Sequence, residues 1–200
     1  MGCDWRFPMS DNLMRTFISI PVPNEVKSKK NMLYSTLENS PSNISWVRNE
    51  QLHLTLKFLG HTPEASFDNI KSEISKIAST INPFKLVINK TGCFPKKERP
   101  RVLWLGINGN TTTLNDLFLR IDKKMDKIGF PCLDKEFFPH ITLARVKYPQ
   151  KHTPDISMFL KSSYDPIDFT ADRVQFLSSE LLPSGTFYTL LGSFPLGESL

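Results

Sequence analysis

Hydrophobic and polar positions along the chain follow two patterns, one typical of strands and one typical of helices. Short β-rich runs, some with apolar residues at alternate positions, predict strands. Longer segments in which apolar residues recur every three or four positions predict amphipathic helices. The predicted strands are residues 15–20, 44–47, 52–58, 84–88, 102–107 and 140–146, followed by two C-terminal strands joined by a turn at residues 183–185.

Three long helices are predicted between these strands. The first follows Asn24, whose side chain can cap it. The second begins at Thr62 and Pro63, with Thr as the cap and Pro in the first turn, after a strand that ends at Gly60. The third covers residues 112–128. A fourth, short helix is predicted within residues 156–163.

The order of these elements repeats along the chain. A strand, a helix, a strand and a His-x-Thr-Leu motif occur before residue 60 and again, less regularly, before residue 146. Strands outnumber helices, and no linker divides the chain, which favours an α+β fold. We expect residues 1–13 to be a flexible N-terminal extension and residues 14–200 to form a single domain of two related lobes.

Both copies of the repeat carry the same polar pair. The sequence HLTL at residues 53–56 recurs as HITL at residues 140–143. Side chains alternate between the two faces of a strand, so His53 and Thr55 share one face, as do His140 and Thr142. One such motif is typical of the polar face of a sheet. Two matched copies indicate a functional site.

Two imidazoles and two hydroxyls suit the hydrolysis of a phosphodiester. With an ordinary pKa near 6.5, one histidine can be protonated as a general acid while the other is neutral as a general base. The threonine hydroxyls can bind the non-bridging phosphate oxygens. A ribose 2′,3′-cyclic phosphate fits such a site because its strained ring can open without a metal. The residues alone do not decide which histidine is the acid.

Metal and serine chemistry are the weaker alternatives. Zinc sites need three or four ligands, and the nearest carboxylates, Glu50 and Glu136, lie outside the motifs. No G-x-S-x-G elbow occurs. We therefore expect no metal and no cofactor.

Composition bears on the partner and the compartment. Lys and Arg number 25 against 20 Asp and Glu, and the net charge of +5 favours an anionic partner. Cys3, Cys93 and Cys132 are scattered without a C-x-x-C pair, and no apolar run resembles a membrane span or a secretory signal. We expect a cytoplasmic protein without membrane contact. No partner-binding signature is present, so a monomer is expected.

The motif segments HLTLKFLG (residues 53–60) and PHITLAR (residues 139–145) closely resemble the paired motifs of the two-histidine phosphoesterase superfamily. The resemblance is to the bacterial RNA 2′,3′-cyclic phosphodiesterases, also called the 2′-5′ RNA ligase (LigT-like) family. It extends over residues 14–196. Further similar segments are the family's opening strand (RTFISIPVP, 15–23), central strand (PRVLWLGI, 100–107) and closing hairpin (VQFLSSELLPSGTFY, 174–188).

The resemblance implies a bilobal α+β fold in which two pseudo-symmetric lobes, each with an antiparallel sheet and outer helices, enclose a cleft. It implies that His53 is the proton donor to the leaving oxygen and that His140 activates water, which yields a 2′-phosphate. Arg145 matches the family's A-R position and is expected to clamp the phosphate. Phe17 matches an aromatic position at which the family's cleft can stack a base.

The remaining basic residues and histidines are assigned from their surroundings. Arg101 ends a basic loop that can attract an RNA backbone, although charged loops are usually only solvated. His61 and His152 lack the x-Thr pattern, and we expect both at the surface. The other basic residues of the loop are Lys96, Lys97 and Arg99.

Three functions remain open from the sequence. The leading one is a metal-independent RNA 2′,3′-cyclic phosphodiesterase, with RNA or a nucleotide carrying a 2′,3′-cyclic phosphate end as its substrate. The second is 2′-5′ ligation of RNA ends by the same groups. The third is a non-catalytic nucleotide- or RNA-binding module, which the two intact motifs disfavour because a binder need not keep both acid–base histidines.

Overall fold

A computed structural model describes residues 12–37, 43–132, 136–183 and 185–197. Within these ranges the chain forms nine strands and four α-helices. The strands are β1 (Leu13–Pro21), β2 (Ile44–Trp46), β3 (His53–Pro63), β4 (Phe84–Phe94), β5 (Val102–Gly109), β6 (His140–Val146), β7 (Ile167–Ala171), β8 (Arg173–Leu182) and β9 (Gly185–Pro195). The helices are α1 (Glu25–Ser35), α2 (Phe67–Ala78), α3 (Thr111–Lys127) and α4 (Ser157–Lys161).

The described strands form one antiparallel sheet with two halves. Their order is β7-β4-β5-β6-β3-β1-β8-β9, and β2 pairs with the C-terminal part of β6, beyond its single pair with β3. The halves meet at β3 and β6, where Leu54 and Ile141 are the one registered pair. Each half therefore contributes one motif strand to the junction. The α+β class and the two related lobes predicted from the sequence are confirmed.

The two halves repeat the same pairing around the motifs. Thr55 lies opposite Ser19 of β1, and Thr142 lies opposite Trp104 of β5. In both strand pairs the register then shifts by one residue, so that the leucine after each threonine is a β-bulge. A bulge reverses the alternation of side chains beyond it. The sequence repeat is thus also a structural repeat, because both halves share the β-bulge after the motif threonine.

The helices cover the face of the sheet that carries the apolar partners of the motif residues. α2 packs against β8, β9 and α3, and α3 packs against β3. The apolar face of α2 is buried, with Ile70 and Ile74 fully inaccessible, and these residues join Leu54, Leu56 and other strand residues in one core. Burial of this face fixes which side chains of β3 and β6 are left on the opposite face. None of the described helices is long and apolar enough to span a membrane.

The predicted end of the first motif strand and the predicted start of the second helix were wrong. β3 passes through Gly60, which adopts a φ of +78° at an irregularity in the pairing, and continues to Pro63. Thr62 pairs with β1, and its hydroxyl lies 2.7 Å from that of Thr16 instead of capping a helix. α2 begins only at Phe67, after a single 3-10 turn.

Smaller differences concern strand limits and a cap. The C-terminal segment contains three strands, because β7 precedes the predicted pair and joins β4 at the sheet edge. Asn24 stands at the N-terminus of α1 without a side-chain capping bond. β1 begins at Leu13, and residues 1–11 and Ser184 of the predicted turn lie outside the described residues. The limits of the extension and of the single domain stay predictions.

Candidate active site

The two motif histidines are oriented by identical backbone contacts. His53 and His140 are the first residues of β3 and β6. Nδ1 of His53 lies 2.7 Å from the carbonyl oxygen of Gln51, and Nδ1 of His140 lies 2.8 Å from that of Phe138. A carbonyl only accepts hydrogen bonds, so Nδ1 carries the hydrogen in both rings. Nε2 is then the nitrogen left for a substrate, as a base when neutral and as an acid when protonated.

The bulges decide which residues accompany the histidines. Under strict alternation Arg145 would lie on the opposite face from His140 and Thr142. Because the bulge at Leu143 reverses the alternation, Arg145 returns to the face of the motif residues, and its neighbours are buried. The equivalent bulge in β3 brings Phe58 to the same face.

The residues on this face line one cavity of about 420 Å³. A volume of this size is typical of small-ligand sites. One wall is held together across the chain, where the Gln51 amide donates to the carbonyl of Thr186 and the Arg48 guanidinium lies 4.9 Å from the centre of the Phe187 ring. The lining residues are Ser45, Trp46, Val47, Arg48, Gln51, His53, Thr55, Phe58, Val102, His140, Thr142, Arg145, Gly185, Thr186 and Tyr188.

Burial and a nearby cation weaken proton binding by both histidines. Burial is the main cause that holds the pKa of His53 below its ordinary value of 6.5, and the charges of Arg145 and His140 lower it further. Burial and Arg145 also lower the pKa of His140. The backbone bonds to Gln51 and Phe138 oppose these effects. An anion in the cavity would offset the charge of Arg145 and raise the pKa of both histidines again.

Phe17 is largely covered by its neighbours, and with Phe58, Arg145 and Tyr188 it lines a second cavity beside the first. Its side chain is only 3% exposed, and its ring centre lies 4.8 Å from that of His53 and 4.9 Å from that of Tyr188. Phe17 therefore packs behind His53, whereas the neighbouring Phe58 is 57% exposed. Burial raises the pKa of Tyr188, so its phenol keeps its proton at the cavity wall.

Arg101 lies outside the cavity. Its guanidinium lies 5.4 Å from the centre of the Tyr148 ring, and that of Arg99 lies 5.2 Å from the same ring. The predicted contact of Arg101 with RNA is thus separate from the motif site. His61 and His152 are exposed, as expected.

The site also contains residues that the sequence did not single out. Phe58, Tyr188, Arg48 and Gln51 line the cavity without belonging to the His-x-Thr pattern. Phe58 occupies the position in β3 that Arg145 occupies in β6, five residues after the histidine. The repeated motif could therefore have pointed to Phe58, because Arg145 was already singled out at the equivalent position.

Within the described part of the chain, acidic side chains do not converge on the motifs. Among the described ranges, no group of three or more His, Cys, Asp or Glu side chains could hold a metal ion. Neither Glu50 nor Glu136 lines the cavity.

A comparison with protein families gives two adjoining matches. The family model described as "LigT like Phosphoesterase" matches residues 20–104 and again residues 105–188. Each match contains one His-x-Thr motif, in agreement with the two halves of the sheet.

Curated relatives match over most of their length. The chain is 35% identical over 179 residues to the RNA 2′,3′-cyclic phosphodiesterase of Thermotoga maritima, covering 89% of this chain and 93% of the relative. It is 30% identical over 186 residues to the protein of the same name from Methanothermobacter thermautotrophicus, covering 92% and 99%.

Solved structures share the fold. TT0787 of Thermus thermophilus superposes with a TM-score of 0.76 at 29% identity, over 93% of this chain and all of that chain (100%). Escherichia coli LigT complexed with 3′-AMP superposes with a TM-score of 0.72 at 22% identity, over 92% of this chain and 98% of that chain. The second likeness concerns the fold alone.

Proposed function

Because the chain belongs to the LigT-like phosphoesterase family, we propose that it is an RNA 2′,3′-cyclic phosphodiesterase that uses His53 and His140 as its acid–base pair. The observation that carries the proposal is the convergence of two imidazoles, both held through Nδ1 by a backbone carbonyl, in one cavity. Relatives named for this activity at 30–35% identity support it.

In the proposed reaction a water molecule attacks the phosphorus of the cyclic phosphate. Nε2 of neutral His140 takes a proton from the water as its oxygen bonds to phosphorus. The bond from phosphorus to the ribose 3′ oxygen breaks, and Nε2 of protonated His53 gives that oxygen its proton. The products are a 2′-phosphate and a 3′-hydroxyl, and proton exchange with solvent resets the two rings. The reaction needs one histidine in each protonation state, because only a neutral ring can act as the base and only a protonated ring can act as the acid.

The remaining polar side chains of the cavity would bind the phosphate. Hydroxyl groups of Thr55 and Thr142 can donate to the non-bridging oxygens, and the Arg145 guanidinium can form paired, charge-assisted bonds to them. Such bonds also stabilise the charge that gathers on these oxygens during attack. Residues of the protein thus supply each role in the reaction, and no step requires a metal.

Hydrolysis of 2′,3′-cyclic AMP in the presence of EDTA is the direct test. We expect turnover to persist in the chelator and to release the 2′-phosphate as the only product, because the histidines carry both proton transfers. Product identity can be measured by chromatography against the 2′- and 3′-phosphates. Absence of turnover would contradict the function, and loss of turnover with EDTA would contradict the metal-independent mechanism.

The pH profile follows from the lowered pKa values of both histidines. Since each pKa lies below 6.5, both rings are neutral at pH 7–8 and the proton donor is scarce. Lowering the pH restores one proton, and a further fall protonates the base as well. We therefore expect kcat/KM to peak on the acid side of pH 6.5. A peak above pH 7.5 for the hydrolysis of 2′,3′-cyclic AMP would contradict this.

Removal of the Arg145 charge should move this profile. Arg145→Gln takes away a positive charge that lowers the pKa of both histidines, so the peak of kcat/KM should shift to higher pH while KM rises. Arg145→Lys is the matched control, because it keeps the charge and loses only the paired geometry. An unshifted peak in Arg145→Gln would contradict a role for this charge.

A further inference from the structure

A second aromatic surface lies beside His140. We define the His140-side surface as Phe94, Trp104 and Phe138. Phe138 is 50% exposed, and its ring centre lies 5.1 Å from that of Trp104, 5.3 Å from that of Phe94 and 6.3 Å from that of His140. None of these three residues lines the cavity around the motifs. An exposed aromatic ring next to a catalytic histidine is therefore left without a role in the proposed reaction.

Within the His140-side surface, Trp104 is fixed in the sheet. Trp104 of β5 lies opposite Gly92 of β4, and a Cβ placed on Gly92 would collide with the Trp104 ring. The ring thus occupies the space that a side chain at residue 92 would fill. At the equivalent position of the other half, opposite Thr55, stands the small and buried Ser19. The two halves therefore differ at this position: a large aromatic ring lies beside the second motif, and a small hydroxyl lies beside the first.

Positive charge begins at the edge of this surface. The backbone N–H of Arg101 donates to the carbonyl oxygen of Phe94 over 2.6 Å. The guanidinium groups of Arg101 and Arg99 both face the Tyr148 ring. Lys96 and Lys97 are exposed in the same loop, whose one carboxylate is that of Glu98. Aromatic rings beside a cationic strip are the arrangement on which single-stranded nucleic acid binds, with bases stacked on the rings and phosphates near the cations.

We propose that the His140-side surface binds the nucleotide that precedes the cyclic phosphate end of the RNA, with its base on Phe138 and its phosphate near Arg101. This inference rests on the proposed function, because it concerns the same substrate. An RNA end contains such a neighbouring nucleotide, whereas a cyclic mononucleotide does not. The surface would therefore make the enzyme prefer an oligonucleotide end to a free cyclic nucleotide.

The test compares kcat/KM for a dinucleotide that ends in a 2′,3′-cyclic phosphate with kcat/KM for the cyclic mononucleotide. We expect the intact protein to prefer the dinucleotide and Phe138→Ala to lower the ratio of the two constants by about 5- to 20-fold, the loss of one stacked base. Phe138→Tyr keeps a ring and should keep the ratio. Leu119→Ala, at an exposed apolar residue on α3, is the matched control.

The ratio is the readout because the Phe138 carbonyl orients His140. Any disturbance of His140 would lower both constants alike and leave their ratio unchanged. Arg101→Gln should weaken the salt dependence of kcat/KM for the dinucleotide and leave that for the mononucleotide as it was. The inference is overturned if the intact protein turns over both substrates without preference, or if Phe138→Ala keeps the preference.

A binding measurement separates this inference from the proposed function. Calorimetry can compare a dinucleotide 2′-phosphate with the mononucleotide 2′-phosphate on the intact protein and on Phe138→Ala. Absence of turnover with a Phe138-dependent preference in binding would sink the proposed function and support the inference. Equal binding of the two ligands would overturn the inference whatever the turnover.

Discussion

Replacing either His53 or His140 by alanine is expected to lower kcat for a 2′,3′-cyclic nucleotide by about 10²- to 10⁴-fold. Each ring carries one of the two proton transfers, and no further histidine or carboxylate among the described residues lines the cavity. Steady-state kinetics of the purified variants measure the effect. His61→Ala is the matched control, because His61 lies exposed on the same strand as His53 and outside the cavity.

The residual activities should also separate the two roles. Without His53 the rate depends only on the neutral base, so the residual activity should rise with pH and level off. Without His140 the rate depends only on the protonated acid, so the residual activity should fall as the pH rises. Opposite slopes would mean that the two roles are exchanged. Losses below about 10-fold in both variants would contradict acid–base catalysis by this pair.

Asp122→Ala is expected to destabilise the fold by about 3–5 kcal/mol, the usual cost of leaving one buried charge unpaired. The Lys57 side chain is fully inaccessible, and its ammonium donates to the Asp122 carboxylate of α3 and, over 2.8 Å, to the carbonyl of Pro131. The bulge in β3 turns Lys57 away from the cavity. The equivalent residue of β6 is the small Ala144. Urea unfolding of the intact protein and the variant measures the loss.

Two variants sharpen this stability prediction. Lys57→Met together with Asp122→Leu removes both charges and should cost clearly less than Asp122→Ala alone. Asp116→Ala breaks the exposed pair with Arg120 on the same helix and should change the free energy of unfolding by less than about 1 kcal/mol. If Asp122→Ala lowered the free energy of unfolding no more than Asp116→Ala does, the buried pair would contribute no more to stability than the exposed pair.

The motif strands and their histidines were predictable because two signals coincide in them. Alternation places His53 and Thr55 on one face, and the burial of Leu54 and Leu56 fixes that face toward the cavity. The α+β class and the paired lobes followed from the order of elements and the repeated motif. These features depend on patterns that are local in sequence.

The bulges could not be predicted from the residues. Leu143 is apolar and buried whether or not it is bulged, so it leaves no mark in the sequence. Alternation alone would have turned Arg145 away from His140, and its place was expected from the resemblance only. Gly60, Thr62 and Pro63 misled for a related reason, because pairing with β1 overrides the local preference of a Thr-Pro pair for a helix start.

Phe17 and Arg101 show the limit of residue-by-residue reading. An aromatic residue in an opening strand and an arginine in a basic loop look alike in sequence whether they face a substrate or a neighbour. Their contacts with His53 and Tyr148 bring together distant parts of the chain and could not be read from the sequence.

The paired bulges also give the cleft a direction. Both histidines and both threonines obey the twofold repeat, so by themselves they would accept a cyclic phosphate in either of two opposite orientations. On the face that lines the cavity, the first unlike pair of equivalent residues is the one that the bulges bring forward, the apolar ring of Phe58 and the cation of Arg145. The two orientations of a bound nucleotide would therefore differ in which end of it meets an apolar ring and which meets a cation.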